Sequence, residues 1–178
     1  MRVKYRTVSL LVSILLLLGL SHSGPSFAAS GDNAKNIGYY KKKNDLDMLY
    51  VRHRKRPLNV LYKSIFTALE NNGYFVVFEP NIGKNMSLFA ERWGKDYNKQ
   101  KLESIRSMVF CNTWYANKVA NADPRMLALC PLHITLIEKN NLTTILFVRP
   151  GKVAAGSPAQ AIATELEQDV IRIVENAL

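Results

Sequence analysis

Residues 129–149 read LCPLHITLIEKNNLTTILFVR, and this stretch carries the strongest fold signal in the chain. Apolar and polar side chains alternate along 129–138, which is the two-residue period of a half-buried β-strand. Residues 139–141 (Lys-Asn-Asn) are typical of a tight turn, and 142–149 predicts the returning strand of a β-hairpin. Because Ile145–Val148 is apolar on both faces of that strand, one layer of helices would leave apolar surface for another layer or another copy to cover.

The segment after this hairpin predicts a closing helix. Ser157 is suited to cap a helix N-terminus, and Pro158 is suited to the first helical position. Apolar residues then recur at helical spacing, with charged residues on the other side. The predicted buried stripe consists of Ile162, Leu166, Val170, Ile173, Val174 and Ala177.

Three further strands are predicted before the hairpin, over 47–55, Tyr74–Phe78 and Ile105–Cys111. The second of these is so apolar that we expect it at the centre of the sheet. With the helices described next, the pattern predicts an α+β fold. We expect a single compact domain over 47–178, with about five strands in one mostly antiparallel sheet, helices packed on it, and the C-terminal β-hairpin followed by the closing helix.

Two helices are predicted between these strands. Apolar residues from Leu58 to Leu69 recur at helical spacing, and Asn59 is the expected N-cap. A shorter helix over 114–122 follows the third strand, with Asn112 or Thr113 as its cap.

The chain has two cysteines, Cys111 and Cys130, which flank this shorter helix. In an oxidising compartment such a pair usually forms a disulfide, and closing a loop of about 20 residues adds roughly 3 kcal/mol of stability. Two alternatives remain open. The thiols are either buried, reduced and inert, or they form a redox or metal-ligand pair with His133. Since Cys130 and His133 would point to opposite faces of a strand, a shared metal site is disfavoured.

Cys111, Asn112, Trp114, Cys130 and His133 form the candidate ligand or redox site. The strand-to-helix junction at Asn112 and Trp114 offers backbone N–H groups that suit a small anion, although ordinary helix capping explains it more simply. The sequence contains no nucleophile elbow, phosphate loop or zinc-protease motif, and no Cys-x-x-Cys-His for covalent haem attachment. We therefore predict no catalytic residue, no metal and no cofactor, and we favour a non-enzymatic function.

The first 28 residues have the layout of a secretory signal peptide. Basic residues precede the apolar stretch 8–20, and Ser26-Phe27-Ala28 is a small-x-small cleavage signal. The apolar stretch is too short to span a bilayer, which takes about 20 residues. We predict cleavage after Ala28, a periplasmic or secreted location, no stable membrane span after cleavage, and a flexible basic linker over 29–46.

The chain is basic, with 24 Lys and Arg against 14 Asp and Glu and a formal net charge of +10. Loss of the three basic residues of the signal leaves +7. Arg52, Arg54, Lys55 and Arg56 form a basic patch that suits an acidic partner or anionic lipid, or that is simply a solvated strand edge protected by its charge. Export and the lack of interleaved aromatic residues argue against nucleic acid.

Several motifs resemble the family catalogued as domain of unknown function number 302. The residues that carry the resemblance are LYKSIFTALENNGYFVVFEP at 61–80, Cys111-Asn112, Ala116, Asn121–Pro124 and Leu127–Pro131. The resemblance extends from about Leu58 to Val174. It implies a compact α+β domain that is dimeric, and it implies no established reaction.

Two classes of function remain after this reading. The first is an exported binding module for a small ligand or a partner protein, acidic partners included, in which Cys111 and Cys130 are structural. The second is a redox or metal- or haem-handling accessory protein of respiratory or sulfur metabolism that uses the same cysteines. In either case we expect a homodimer that buries part of the hairpin 129–149.

Overall fold

Five strands form one antiparallel sheet in the computed structural model, which describes residues 45–178. The strands are β1 Leu49–Arg54, β2 Phe75–Phe78, β3 Ser104–Cys111, β4 Leu132–Lys139 and β5 Leu142–Val148. Their order across the sheet is β1-β5-β4-β3-β2. The predicted α+β fold is therefore confirmed. The predicted signal peptide and most of the predicted linker lie outside the described residues.

The hairpin of β4 and β5 forms as its sequence predicts. Asn140 and Asn141 join the strands with φ angles of 51° and 58°, the left-handed pair that matches strand twist in a two-residue turn. However, β4 begins at Leu132 rather than at residue 129. Residues 124–129 instead form a 3₁₀ helix, and Pro131, which follows a cis peptide bond, has no N–H to give to a strand ladder.

Six α-helices are described, and the two longest form the core together with the sheet. They are α1 Leu58–Asn71, α2 Ile82–Ser87, α3 Ala90–Trp93, α4 Thr113–Ala122, α5 Pro150–Val153 and α6 Gln160–Ala177. Helices α1 and α6 pack on one face of the sheet. The fully buried side chains at this contact include Leu58, Leu61, Ile65, Leu69, Ile134, Leu136, Ile145 and Val170. Each contributes about 1.5–3 kcal/mol by burial.

Strand β2 corrects one prediction, because it lies at the edge of the sheet and not at its centre. Phe75, Val77 and Phe78 are 55, 61 and 62% exposed. The pairing with β3 shifts register between Val76 and Phe78, so the strand carries a bulge. The apolar run suggested burial on both faces, but in this strand only Val76 packs against the core.

Two of the three predicted helix N-termini are also corrected, whereas Asn112 caps α4 as expected. Helix α1 is preceded by Pro57, whose ring fixes the φ angle at the helix entrance. The amide oxygen of Asn59 instead accepts a hydrogen bond from Arg106 at 3.2 Å. Helix α6 begins at Gln160, three residues after Ser157.

The sheet face opposite α1 and α6 is largely uncovered by the described residues. Its central row runs Val51, Leu146, Thr135 and Ser107 across four strands. The neighbouring rows include Leu49 paired with Val148 and His133 paired with Val109. Helix α2 lies only at the far margin of this face, where Gly83 packs against the backbone of Ile105. The apolar side chains of β1 and β5 therefore remain partly exposed on this face, whereas Ile105 and Ser107 of β3 are only 9 and 3% exposed.

Asp123 anchors the 3₁₀ helix 124–129 to the turn before α6. Its carboxylate is 4% exposed and accepts hydrogen bonds from Ser157 Oγ at 2.7 Å and from the Arg125 guanidinium at 2.9 and 3.0 Å. Hydrogen bonds from Arg125 and Ser157 hold the pKa of Asp123 well below its usual range. The ionised form is thus the one that the fold stabilises.

We predict that Asp123→Asn destabilises the domain at pH 7 and that this loss shrinks in acid. Because the folded-state pKa lies below the unfolded value of about 3.9, the contribution of Asp123 is present above that value and is lost as the pH falls below it. Urea unfolding at pH 7 and pH 3 measures the effect. Asp96→Asn, at an exposed pair with Lys99, is the control and should change little. A loss from Asp123→Asn that stays equal at both pH values would contradict the prediction.

Candidate functional site

Cys111 and Cys130 face each other at one end of the sheet. Cys111 is the last residue of β3, and Cys130 follows the 3₁₀ helix 124–129. Their sulfur atoms are 3.1 Å apart as free thiols, and both side chains are half-buried. The structure therefore brings together the two cysteines that the sequence separates by α4.

A small cavity opens beside the two thiols. Its volume is about 20 Å³, enough for roughly one water molecule. Apart from the cysteines and Asn112, the wall is almost entirely apolar, with side chains from α4, the 3₁₀ helix, β4 and α6. They include Val119, Met126, Leu129, Leu132, Ala163 and Leu166.

Asn112 borders the same cavity, but its side chain is fully engaged. Its amide oxygen accepts hydrogen bonds from the backbone N–H groups of Trp114 and Tyr115 at 3.0 and 3.1 Å. Its amide nitrogen donates to the carbonyl oxygen of Gly73 at 3.1 Å. Asn112 is therefore the N-cap of α4, and it already occupies two of the N–H groups that an anion would need.

Trp114 and His133 do not border this cavity. Trp114 is 64% exposed on the first turn of α4. His133 is exposed on β4 and pairs with Val109 across the uncovered face of the sheet. Of the five candidate residues, the structure thus joins Cys111, Asn112 and Cys130 around one cavity and leaves the other two outside it.

The Cys130 thiol is a poor nucleophile in this environment. Burial raises the pKa of the Cys130 thiol to about 11, and the hydrogen-bonded Cys111 thiol adds to the rise. A thiol with a raised pKa is almost wholly neutral near pH 7, whereas reactive redox cysteines have lowered pKa values. The arrangement favours a bonded or ligand-bound pair over a catalytic thiolate.

Met126 is a wall residue that the sequence argument did not identify. It is half-buried in the 3₁₀ helix, and its side chain borders the cavity of the cysteines. Its position four residues before Cys130 was the only available signal, because the 3₁₀ geometry that turns it toward the thiols is not evident from the residues alone.

The basic patch lies on the edge strand β1 and is partly neutralised within the domain. The Arg52 guanidinium forms an ion pair with the Glu175 carboxylate of α6, and Arg54 reaches the same carboxylate at 3.4 Å. Tyr50 donates its hydroxyl hydrogen to Glu175 at 2.7 Å. Two of the four predicted patch residues are thus braces between β1 and α6.

Residues 45–178 lack two kinds of feature. None of its helices combines the length and apolar character that crossing a bilayer requires. Within the same residues, no group of three or more His, Cys, Asp and Glu side chains is placed to hold a metal ion.

Comparison with known proteins places this geometry in a family. A family model described as "Domain of unknown function DUF302" matches residues 51–177. The crystal structure of an uncharacterized conserved protein DUF302 from Bacillus stearothermophilus is similar with a TM-score of 0.63 and 16% sequence identity, over 74% of this chain and 98% of that chain. At this identity the likeness concerns the fold alone. No curated protein matches the chain significantly. Because the family model spans well over half of its length, the chain belongs to the DUF302 family of domains of unknown function.

Proposed function

We propose that the protein is an exported, non-catalytic binding domain that acts as a homodimer through the uncovered face of its sheet. In this proposal Cys111 and Cys130 have a structural role, as a disulfide that links the end of β3 to the residue pair before β4. The observation that carries it is the open apolar face of β1, β5, β4 and β3. Export to the periplasm or the exterior rests on the signal-like segment 1–28.

The chemistry of the uncovered face suits a second copy of the chain. The rows that include Leu49, Val51 and His53 contain no Lys, Arg, Asp or Glu across the paired strands. Two chains with a net positive charge repel each other over most surfaces, but an uncharged apolar face avoids that cost. Arg52 and Arg54 point toward Glu175 on the opposite side, and the basic side chains on this side, Lys55 and Lys139, lie at its hairpin end beside Ile137 and Thr144.

The cysteine cavity suits a small organic ligand poorly. Pockets for such ligands hold about 300–1,000 Å³, whereas this cavity holds about 20 Å³. Its one amide side chain, Asn112, is already hydrogen-bonded to the backbone on both of its polar atoms. These features support a protein partner rather than a metabolite.

A structural disulfide also suits the positions of the two cysteines. Cys111 ends β3 and Cys130 precedes β4. A bond between them would therefore fix both ends of the connection that contains α4 and the 3₁₀ helix. Such a bond restricts the unfolded chain more than the folded one, because the sulfur atoms are already adjacent in the fold.

A second candidate function is the redox or metal-handling accessory of respiratory or sulfur metabolism. One observation favours it. Met126 lines the same cavity as Cys111 and Cys130, so three sulfur-containing residues border one cavity.

We predict that Val51→Glu dissociates the homodimer. Val51 lies in the central row of the uncovered face, and burying an unpaired carboxylate there costs several kcal/mol, so the dissociation constant should rise by at least about tenfold. Sedimentation equilibrium at micromolar concentration measures this rise.

Val60→Glu provides the matched control for this experiment. Val60 is 45% exposed on α1 and Val51 is 38% exposed on β1, so the two substitutions change similar surface on opposite sides of the domain. The Val60 variant should remain dimeric. A monomeric wild type, or equal dissociation of both variants, would refute the proposed interface.

We further predict that the exported protein contains a Cys111–Cys130 disulfide. Thiol titration of the denatured protein after export should find less than one free thiol per chain. Replacing both cysteines with Ser should lower the free energy of unfolding by roughly 3 kcal/mol. The chemically reduced wild type is the control and should lose a similar amount. Two titratable thiols per exported chain would exclude the disulfide.

A further inference from the structure

We propose that the reduced protein binds one monovalent soft metal ion, Cu(I), through the sulfur atoms of Cys111, Cys130 and Met126. This inference deepens the second candidate function and is independent of the homodimer. The site is the cavity between the end of β3, the 3₁₀ helix 124–129 and α6.

The choice of donors follows from the composition of the cavity wall. The rest of the wall that Cys111, Cys130 and Met126 line is mostly apolar, and its members include Val119, Leu132 and Leu166. Asn112 is engaged at both ends of its amide group, and His133 lies on the other face of the sheet. Among residues 45–178, no carboxylate borders the cavity. Thiolate and thioether ligands without oxygen or nitrogen donors select Cu(I) over hard ions such as Mg²⁺ and Ca²⁺.

The cysteine sulfur atoms need only a small adjustment to hold an ion. They are 3.1 Å apart, and a metal–thiolate bond of about 2.3 Å in a trigonal arrangement places them about 4 Å apart. Rotation of either half-buried cysteine side chain toward the cavity supplies that separation. The cavity of about 20 Å³ provides the space into which the ion and the moving sulfur atoms go.

Binding releases protons in a fixed number. Both thiols lose a proton to solvent, and Cu(I) joins two thiolates and one neutral thioether to give a site of net charge −1. As long as both thiols are protonated in the metal-free protein, the apparent affinity for Cu(I) therefore rises by up to about 100-fold per pH unit. Soft thiolate and thioether donors favour Cu(I) over Cu(II) at this site.

The same two sulfur atoms cannot form a disulfide and bind the ion at once. The proposal therefore concerns the reduced chain. The disulfide of the exported protein and the metal site are two mutually exclusive states of the same cysteine pair. Failure of metal binding leaves the dimer and the disulfide untouched, so the two proposals are tested separately.

The test is a Cu(I) titration of the exported protein after chemical reduction and removal of the reductant under anaerobic conditions. The ion is supplied from its complex with a chromophoric chelator, whose colour reports transfer to the protein. We expect one ion per chain, release of two protons, and no displacement by excess Zn²⁺. Native mass spectrometry with Ag(I) as a redox-inert substitute should show the same single ion.

Three variants define the donors. Cys111→Ser and Cys130→Ser should each abolish stoichiometric binding, and Met126→Leu should lower the affinity by about tenfold or more. Met86→Leu, on α2 and away from the cavity, is the matched control and should bind as the wild type does. Circular dichroism verifies that each variant is folded. Absence of Cu(I) from the reduced wild type, or a folded Met126→Leu variant with unchanged affinity, would overturn the three-sulfur site.

Discussion

One-sided packing of the sheet is the constraint on which the rest of this domain depends. Helices α1 and α6 bury the face that carries Ile134 and Ile145, and this contact supplies most of the core. The opposite face keeps Val51 and Leu146 in contact with solvent unless another layer covers it. A small domain can be stable in this form, but apolar surface of this extent rarely stays open. The open face is therefore the side of the domain on which we propose the dimer contact, while the helical side contains the cysteine cavity.

Most of the fold follows from local patterns in the sequence. The hairpin, α1 and the C-terminal helix have strong apolar periods, and each forms close to its predicted position. Tyr74–Phe78 shows where such patterns fail, because an apolar run does not reveal whether a strand has one neighbour or two. The predicted caps of α1 and α6 are wrong for another reason. A residue such as Ser157 suits a cap and a turn equally, and its hydrogen bond to Asp123 comes from a distant part of the chain.

The candidate site could be predicted only in part. Cys111, Asn112 and Cys130 are brought together as their positions at strand ends suggested, since β3 and β4 are neighbours. His133 was included because it is close to Cys130 in sequence, but β4 directs it to the other face of the sheet. Met126 was missed because residues 124–129 were not expected to coil into a 3₁₀ helix. The strand period had already placed His133 on the face opposite Cys130, whereas the 3₁₀ helix that carries Met126 depends on contacts with a distant part of the chain, such as that of Asp123 with Ser157.

The last helix braces both edges of the sheet, and this has a consequence for how the protein is made. Glu175 holds Tyr50 of β1, and Asp169 accepts a hydrogen bond from Tyr74 beside β2 at 2.8 Å, across sequence separations of 125 and 95 residues. Such long-range contacts form late, since the intervening chain must be ordered first. A chain that emerges from the ribosome therefore stays open until its final segment is delivered. On the proposed route of export, that delay would keep the polypeptide unfolded enough to be threaded across a membrane before it folds.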